Sequence, residues 1–350
     1  MTETLTELNK APLASASPPT LFDVAKEAGV SLATASRVIN GSTRKVAAPY
    51  RERVEAAAVL LGYTPNLSAQ ATARGSSSSV ALLVADVADP YFGQIASAVV
   101  SGADAAGLMV TISMTSRDEQ REAGLIRVLR GQRPRGLILA ASRTSEPAAL
   151  GIRAELEAFV AGGGRLVTIG RGSVVGTAIP IDNEGGAAKL GALMSKSGYR
   201  NAILLAAEDG ILTSDDRIRG VSETFTRGGG TITAVYRGNF SRESGRQMMD
   251  AALQSGVAPG SIVFAVSDIV AIGAMTAIRA SGRGIGADIA LCGFDDIEPA
   301  NDVHPGLTTV RIPLDIVGEM ALDCVITGER PVEPIILEVV VRGTTPLCEG

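Results

Sequence analysis

Residues 20–41 read TLFDVAKEAGVSLATASRVING, and this stretch decides the fold of the N-terminal part of the chain. Apolar side chains recur at helical spacing up to Gly29, which predicts a short helix that stops at a tight turn. Ser31 can cap a second helix, because its hydroxyl can accept a hydrogen bond from an early backbone N–H. The inward faces of these helices are expected to be Leu21, Val24, Ala25 and Ala28, and then Thr34, Ala35, Val38 and Ile39.

The second helix is expected to end at Asn40-Gly41, after which a polar loop, residues 42–45, leads to a third helix. Three short helices with a tight glycine turn between the first two form a helix-turn-helix, and this domain is expected to span residues 20–65. The apolar positions of the third helix, which closes at Gly62, are Val54, Ala57, Ala58 and Leu61.

The chain changes character on either side of this domain. Residues 1–19 are rich in Ala, Ser and Pro without a continuous apolar run, which favours a disordered tail over a signal peptide. Residues 66–79 begin with Asn66, a helix-capping residue, and end with four consecutive serines. This composition predicts a short capped segment followed by a flexible linker.

From Val80 onward, short aliphatic runs alternate with helical stretches. The alternation indicates parallel sheets covered by helices on both faces, and more than ten strands are too many for one comfortable sheet. Residues 80–350 are therefore expected to form two similar α/β lobes. Ligands of such sheets lie beyond the carboxyl ends of the strands, so polar residues at the strand ends point to a cleft between the lobes. These residues are Asp86, Ser142, Arg171, Ser267 and Asp295.

The distribution of charge separates the same two regions. The 350-residue chain is 46% hydrophobic and 20% charged, which is typical of a soluble protein of two or three domains. Its net charge is −5, yet residues 20–75 hold seven basic and four acidic side chains and so carry +3, leaving −8 on the remainder. A small basic domain on an acidic body suits a DNA reader that touches phosphate with one face.

Several classes of protein are not supported. The three cysteines lie far apart without a CxxC, so we expect neither a disulfide framework nor a zinc site, and a reducing cytoplasm is the natural compartment. No stretch has the ~18 uninterrupted apolar residues of a membrane span. The chain lacks a GxSxG elbow, a Walker loop and paired-histidine motifs, and its one histidine, His304, is interpreted as a loop residue. We therefore expect no enzyme activity, no cofactor and no metal.

The second helix carries residue types that read DNA. Its first exposed positions, Leu32 and Ala33, can meet thymine methyl groups, and Arg37 one turn later can bond O6 and N7 of guanine together. The same residues could instead form the surface of an ordinary three-helix bundle. Side chains suited to phosphate oxygens are Thr20, Ser31, Ser36 and Asn40.

The segments 20–25, 28–31, 34–41, 51–57 and 61–66, taken in this order, closely resemble the headpiece of the LacI/GalR repressor family. The resemblance covers nearly the whole chain after residue 20. The matching body motifs are Asp86 with Pro90-Tyr91-Phe92, Ile181-Asp182-Asn183, Gly293-Phe294-Asp295-Asp296 and Pro305-Gly306-Leu307-Thr308-Thr309-Val310.

This resemblance implies an all-α helix-turn-helix headpiece and a two-lobe α/β body similar to periplasmic sugar-binding proteins. It implies a repressor-type transcriptional regulator that binds a palindromic double-stranded DNA operator as a homodimer, under the control of a sugar or sugar-like effector. Residues 66–73 would form a hinge helix that enters the minor groove. The DNA-binding residues would be Thr20, Leu21, Phe22, Ser31, Leu32, Ala33, Thr34, Ser36, Arg37, Asn40, Asn66, Ala69, Gln70 and Thr72.

The resemblance also implies an effector site between the lobes. Arg217 matches the arginine by which the family binds effectors, and its guanidinium offers a planar fork to hydroxyl pairs, carboxylate or phosphate. The alternative reading is a structural salt bridge from Arg217 to Asp295 or Asp216, with core packing for Phe92. The effector-binding residues would be Asp86, Tyr91, Phe92, Ser142, Arg217, Phe240, Ser267 and Asp295.

Three positions depart from the family pattern. Thr72 stands where a leucine wedge is usual, Ala47 replaces the serine that usually caps the third helix, and Ser267 replaces an asparagine. No leucine heptads follow Arg342, so a dimer is favoured over a tetramer, in a cytoplasmic, nucleoid-associated protein. The alternative function is a solute-binding protein of a transport system, which would require export.

Overall fold

The computed structural model describes residues 18–40, 46–65, 77–140, 149–171, 175–330 and 335–347. The chain divides into two compact units, Met1–Arg74 and Gly75–Gly350, which we call the headpiece and the body. Among the described residues, no helix combines the length and the hydropathy that crossing a bilayer requires.

The headpiece contains the three helices that the sequence predicts, which are α1 (Leu21–Glu27), α2 (Leu32–Ile39) and α3 (Ala48–Leu61). Thr20 and Asp23 form a reciprocal capping box at the start of α1. Gly29 has a φ of +62° in the turn before α2, a left-handed conformation in which a side chain would be strained. The Ser31 side chain accepts a hydrogen bond from the Thr34 N–H, which confirms the predicted cap of α2.

The start of α3 is less well capped than its end. The N-cap position is Ala47, which makes no side-chain hydrogen bond, as the sequence predicts, whereas Gly62 closes the helix in a left-handed conformation. The headpiece core is small, because four of its six buried apolar residues are alanines. They are Val24, Ala25, Ala28, Ala35, Val54 and Ala57.

The first lobe of the body consists of β1 (Ser79–Val84), α4 (Pro90–Ala105), β2 (Met109–Met114), α5 (Glu119–Gln132), β3 (Gly136–Ala140), α6 (Ala149–Ala161), β4 (Arg165–Ile169) and β5 (Thr177–Ile179). Its strands form one parallel sheet in the order β2-β1-β3-β4-β5. Successive residues of β1 point to opposite faces, so Leu82 and Leu83 belong to two different apolar clusters. The sheet is therefore buried on both faces.

The second lobe consists of α7 (Asn183–Lys196), β6 (Asn201–Ala207), α8 (Leu212–Arg227), β7 (Thr231–Gly238), α9 (Arg242–Ser255), β8 (Ser261–Ala265), α10 (Asp268–Ala280) and β9 (Ile289–Cys292). Its parallel sheet has the order β7-β6-β8-β9. Phe225 of α8 and Phe264 of β8 are fully buried in the core of this lobe.

The remaining elements, α11 (Glu298–Asp302), β10 (Thr309–Arg311), α12 (Leu314–Thr327) and β11 (Glu338–Val340), link the two lobes. α12 returns to the first lobe and packs against α4, where Gly318 lies close to the Ile95 carbonyl. β10 and β11 form an antiparallel pair. This arrangement of a helix-turn-helix domain and a two-lobe body with parallel sheets confirms the fold class expected from the sequence.

Candidate nucleic-acid interface and effector cavity

The exposed face of α2 presents the side chains that the sequence assigns to base reading. Leu32 is 49% exposed, and Ala33 and Arg37 are also exposed. Arg37 makes no hydrogen bond or ion pair with any described residue, so its guanidinium is available to a partner molecule. Phe22 of α1 is 63% exposed, which adds a second large apolar side chain to this surface.

Polar side chains of the headpiece hold the two helix starts in place. The Thr20 hydroxyl donates to Asp23 Oδ2 over 2.6 Å, and the Ser31 and Thr34 hydroxyls lie 2.8 Å apart. At the other end of α2, Asn40 Nδ2 donates to Ser36 Oγ over 3.0 Å. Leu21 packs against the headpiece core. The predicted hinge contacts, Asn66, Ala69, Gln70 and Thr72, lie outside the described residues.

The body contains a cavity of ≈50 Å³ between its two lobes. The first lobe contributes the start of α4, the residues after β2 and the ends of β3 and β4 to its lining. The second lobe contributes residues of α7 and α8 and the residues after β7 and β9. Most of these positions follow the carboxyl ends of parallel strands, where ligands of such sheets bind. The polar and aromatic lining residues are Asp89, Tyr91, Phe92, Arg117, Arg171, Asn183, Thr213, Arg217, Phe240 and Asp295.

Arg217 is the centre of the hydrogen-bond network on the second-lobe side. Its guanidinium is almost fully buried and pairs with Asp295 over 2.8 Å. It also donates to Asn183 Oδ1 over 2.8 Å and to the Val266 carbonyl over 2.6 Å, and it lies 3.9 Å above the Phe294 ring. All three guanidinium nitrogens are therefore bound to protein groups, and Arg217 also lines the cavity.

Two buried carboxyl groups from opposite lobes line this cavity. Burial raises the pKa of Asp295 to about 7, although the charge and hydrogen bonds of Arg217 oppose the rise. Burial also raises the pKa of Asp89, whose carboxylate caps α4 by accepting from the Tyr91 N–H. The negative charge of Asp89 raises the pKa of Asp295 further.

Two arginines of the first lobe reach across the cleft. Arg171, which follows β4, pairs with Asp216 of α8 over 2.9 Å. Arg117, which follows β2, places its guanidinium 5.2 Å from the centre of the Phe240 ring, a cation–π contact. Both contacts join the lobes on either side of the cavity.

The structure brings five of the predicted effector residues together, because Tyr91, Phe92, Arg217, Phe240 and Asp295 all line the cavity. Asp86 does not line it, and its carboxylate instead accepts from the Ala88 N–H. Ser267 is buried, does not line the cavity, and its hydroxyl has no hydrogen-bond partner among the described residues. Ser142 lies outside the described residues. The salt bridge from Arg217 to Asp295, which the sequence offered as the alternative role of this arginine, is present.

Asp89, Arg117 and Asn183 also line the cavity, although they are not among the predicted effector residues. A signal existed for Asp89, since it precedes Pro90 and so stands at the N-cap of the helix that Pro90 begins. Asn183 lies in a motif that was noted without a role. Arg117 could not have been found from spacing, because two consecutive left-handed residues, Ser116 and Arg117, turn the chain there.

The chain matches two protein families over separate ranges. Residues 20–66 match the bacterial regulatory proteins of the lacI family, and residues 192–345 match the periplasmic binding protein-like domain. The first range contains α1 to α3, and the second contains most of the second lobe. A headpiece of this family does not fit the alternative of a solute-binding protein for transport.

Full-length relatives are similar over both units. The HTH-type transcriptional regulator CelR of Thermobifida fusca is 31% identical, over 91% of this chain and 95% of its own length. The lactose operon repressor of Escherichia coli is 32% identical, over 87% of this chain and 83% of its own length. A crystal structure of the lac repressor dimer bound to operator and the anti-inducer ONPF superposes with a TM-score of 0.80 and 29% identity, covering 94% of this chain and 99% of that one.

Proposed function

Because the chain belongs to the lacI family of bacterial regulatory proteins and is a DNA-binding transcriptional regulator, we propose that it is a repressor controlled by a sugar. It binds a palindromic operator as a homodimer, with α2 of each protomer in a major groove. The observation that carries this proposal is the uncommitted surface of Leu32, Ala33 and Arg37 on a helix capped by Ser31. The protein would act in the cytoplasm, at the nucleoid.

The homodimer is supported by the edge strands of the two lobes. β2 and β7 are terminal strands of their sheets, and they expose Met109, Ile112 and Val235. Exposed apolar side chains on an edge strand are a liability for aggregation unless another surface covers them. A second copy of the chain would cover both strands.

The cavity supports control by a small molecule. Its ≈50 Å³ is far below the roughly 300–1,000 Å³ of pockets that hold drug-sized ligands, so the lobes must separate to admit a sugar. The cross-cleft contacts of Arg171 and Arg117 would then break and re-form around the ligand. A hundredfold change in operator affinity requires a coupling free energy of about 2.7 kcal/mol, within reach of a few such contacts.

The hinge provides a prediction from the sequence. Thr72 has less apolar bulk than the leucine usual in the family, so it is a weaker wedge for unstacking a base step. We expect Thr72→Leu to tighten operator binding in a titration. Equal or weaker affinity would contradict a wedge role for this position.

The proposal is tested by titrating the full chain onto a labelled operator duplex, with and without each of a panel of sugars. Fluorescence anisotropy should report nanomolar-range binding to the operator that one class of sugar alters by about a hundredfold. A chain that binds the operator with the same affinity in the presence of every sugar would contradict the assigned control. A chain that does not distinguish operator from random duplex would contradict the regulator itself.

A further inference from the structure

The described lining of the cavity between the lobes carries more positive than negative groups. Arg117, Arg171 and Arg217 line it, against the two carboxyl groups of Asp89 and Asp295. Burial raises the pKa of Asp295 to about 7, so near pH 7 its carboxyl group holds a proton for about half of the time. Burial raises the pKa of Asp89 as well. Positive charge therefore exceeds negative charge in this lining.

Two of the three arginines are already paired with carboxylates. Arg217 pairs with Asp295 over 2.8 Å, and Arg171 pairs with Asp216 over 2.9 Å. The guanidinium of Arg117, in contrast, makes no hydrogen bond or ion pair with any described residue. Arg117 is therefore the arginine of this lining whose donors remain open to a ligand.

The surroundings of Arg117 hold its guanidinium in the cleft without using its donors. Arg117 follows β2 of the first lobe, is exposed to solvent, and reaches to 5.2 Å from the centre of the Phe240 ring in the second lobe. A cation–π contact uses the charge of a guanidinium but none of its five N–H donors. The carboxylates of Asp89 and Asp86 attract Arg117 without forming an ion pair with it. A ligand group that accepts hydrogen bonds can therefore bind these donors.

The start of α8 brings backbone donors to the same cavity from the second lobe. Its N-cap residue, Ile211, makes no side-chain hydrogen bond, and its first two residues, Leu212 and Thr213, line the cavity. The backbone N–H groups of Leu212 and Thr213 donate to no described residue. The free N–H groups of a first helical turn carry partial positive charge and favour anions. An anionic group in the cavity would thus meet donors from both lobes.

We infer, on the basis of the proposed function, that the effector is a sugar with an anionic group, a phosphate or a carboxylate, and that Arg117 is the residue that receives this group. A guanidinium can bind either group with two parallel hydrogen bonds, each about twice as strong as a bond between neutral groups. The carboxyl groups of Asp89 and Asp295 are compatible with a nearby anion, because a carboxyl group that takes up a proton loses its charge and can donate a hydrogen bond.

The first experiment uses inorganic phosphate as the probe, titrated calorimetrically into the full chain at constant ionic strength in sodium chloride. Arg117→Gln removes the charge of the side chain and should weaken phosphate binding by about tenfold or more. Phosphate binding that is equally strong in the wild type and in Arg117→Gln would overturn the inference.

The matched control is Arg133→Gln. Arg133 lies in the same lobe and is exposed, and its backbone is left-handed like that of Arg117, with φ of +51° against +57°. It does not line the cavity. Its phosphate affinity should equal that of the wild type, and a loss as large as that in Arg117→Gln would overturn the assignment of the site to Arg117.

The second experiment compares related sugars as ligands of the full chain. Suitable sets are glucose, glucose 6-phosphate and glucuronate, together with their galactose counterparts. In the set that binds most tightly, one anionic member should bind at least about tenfold more tightly than the neutral sugar, and Arg117→Gln should abolish this preference. The phosphate and the acid then distinguish the two sources of the anionic group. Tighter binding of the neutral sugar, or a preference that survives in Arg117→Gln, would overturn the inference.

Failure of this inference is distinguishable from failure of the proposed function. A chain whose operator affinity responds to a neutral sugar, and whose phosphate binding does not depend on Arg117, would overturn the inference and leave the regulator in place. A chain that binds phosphate through Arg117, but whose operator affinity responds to no sugar, would overturn sugar control and the effector class with it.

Discussion

The headpiece and the cavity differ in how the chain builds them. The predicted DNA-reading surface comes from one contiguous stretch, α1 to α2, whose exposed residues are set by helical periodicity and two caps. The cavity gathers residues from loops that lie as far apart as Asp89 and Asp295. A local sequence pattern can therefore predict the headpiece surface, whereas the cavity exists only once the sheets have formed.

The two regions are also stabilised differently. The headpiece buries mostly alanines, so its helices depend strongly on the caps at Thr20, Ser31 and Gly62. The body buries large side chains, with Phe225, Phe264 and Phe294 fully enclosed. Substitutions should therefore separate DNA reading from effector response.

The largest effect is expected for Arg217→Ala. Removing a buried arginine leaves Asp295 and Asn183 without their partner, which should lower the free energy of unfolding of the body by about 3–5 kcal/mol. At temperatures below unfolding, the variant should still bind the operator, but its operator affinity should no longer respond to the effector. A titration of the operator complex with the effector measures both. The double variant Arg217→Met/Asp295→Leu should recover stability without recovering the response. An intact response in Arg217→Ala would contradict the assignment of this cavity as the effector site.

Arg37→Ala tests the headpiece, as Arg217→Ala tests the cavity of the body. Operator binding should weaken by about 1–3 kcal/mol in each half-site, because a bidentate contact to guanine is lost. Binding of the effector, measured by isothermal titration, should not change. The preference for guanine at one position of each half-site should vanish in the variant. Retention of that preference would exclude Arg37 as its reader.

Asp295 gives the body a stability that depends on pH below about pH 7. The folded carboxyl group titrates at a pKa of about 7, well above its ordinary value near 4, so between these limits the folded state holds a proton that the unfolded state has lost. This contribution to stability is present in acid and is lost as the pH rises toward 7. Between pH 5 and pH 7, the free energy of unfolding of the wild type, measured by urea denaturation, should fall by roughly 2 kcal/mol more than that of Asp295→Asn. Parallel profiles for the two proteins would contradict the raised pKa.

The smallest effect is expected for Ala47→Ser in the headpiece. Ala47 has extended N-cap angles and makes no side-chain hydrogen bond, so a serine there can accept from a free N–H of α3. The free energy of unfolding of the headpiece should rise by about 0.5–1 kcal/mol, and the preferred operator sequence should not change. Hydrogen exchange of the α3 amides would measure the gain. Unchanged protection would mean that α3 is already held by its packing.

The sequence predicted the elements with local signals and missed those without them. Ser31 and Gly62 predicted the start of α2 and the end of α3. The aliphatic runs at Gly136–Ala140 and Ile289–Phe294 predicted β3 and β9, although β9 ends two residues earlier, at Cys292. β7 was not named, because as an edge strand it alternates half-buried and exposed residues and has no continuous apolar run. β5, β10 and β11 are three residues each, too short for a periodic pattern.

For single residues of the cavity, too, local sequence signals do not decide which side chains line it. Asp86 and Asp89 both follow β1, and only the start of α4 decides that Asp89 faces the cavity. Arg217 and Asp295 were found because they stand in motifs of a known family, and their pairing needed the fold to bring α8 and the end of β9 together. The roles of the predicted site residues remain predictions.

The central claim is that α2 reads DNA twice, in two protomers related by a twofold axis. Selection of binding sites from a pool of random duplexes by the purified full chain tests it most directly. We predict enrichment of an inverted repeat, with half-sites about one helical turn apart and a guanine in each half-site that Arg37→Ala no longer requires. Recovery of no common sequence, or of a site without twofold symmetry, would contradict it.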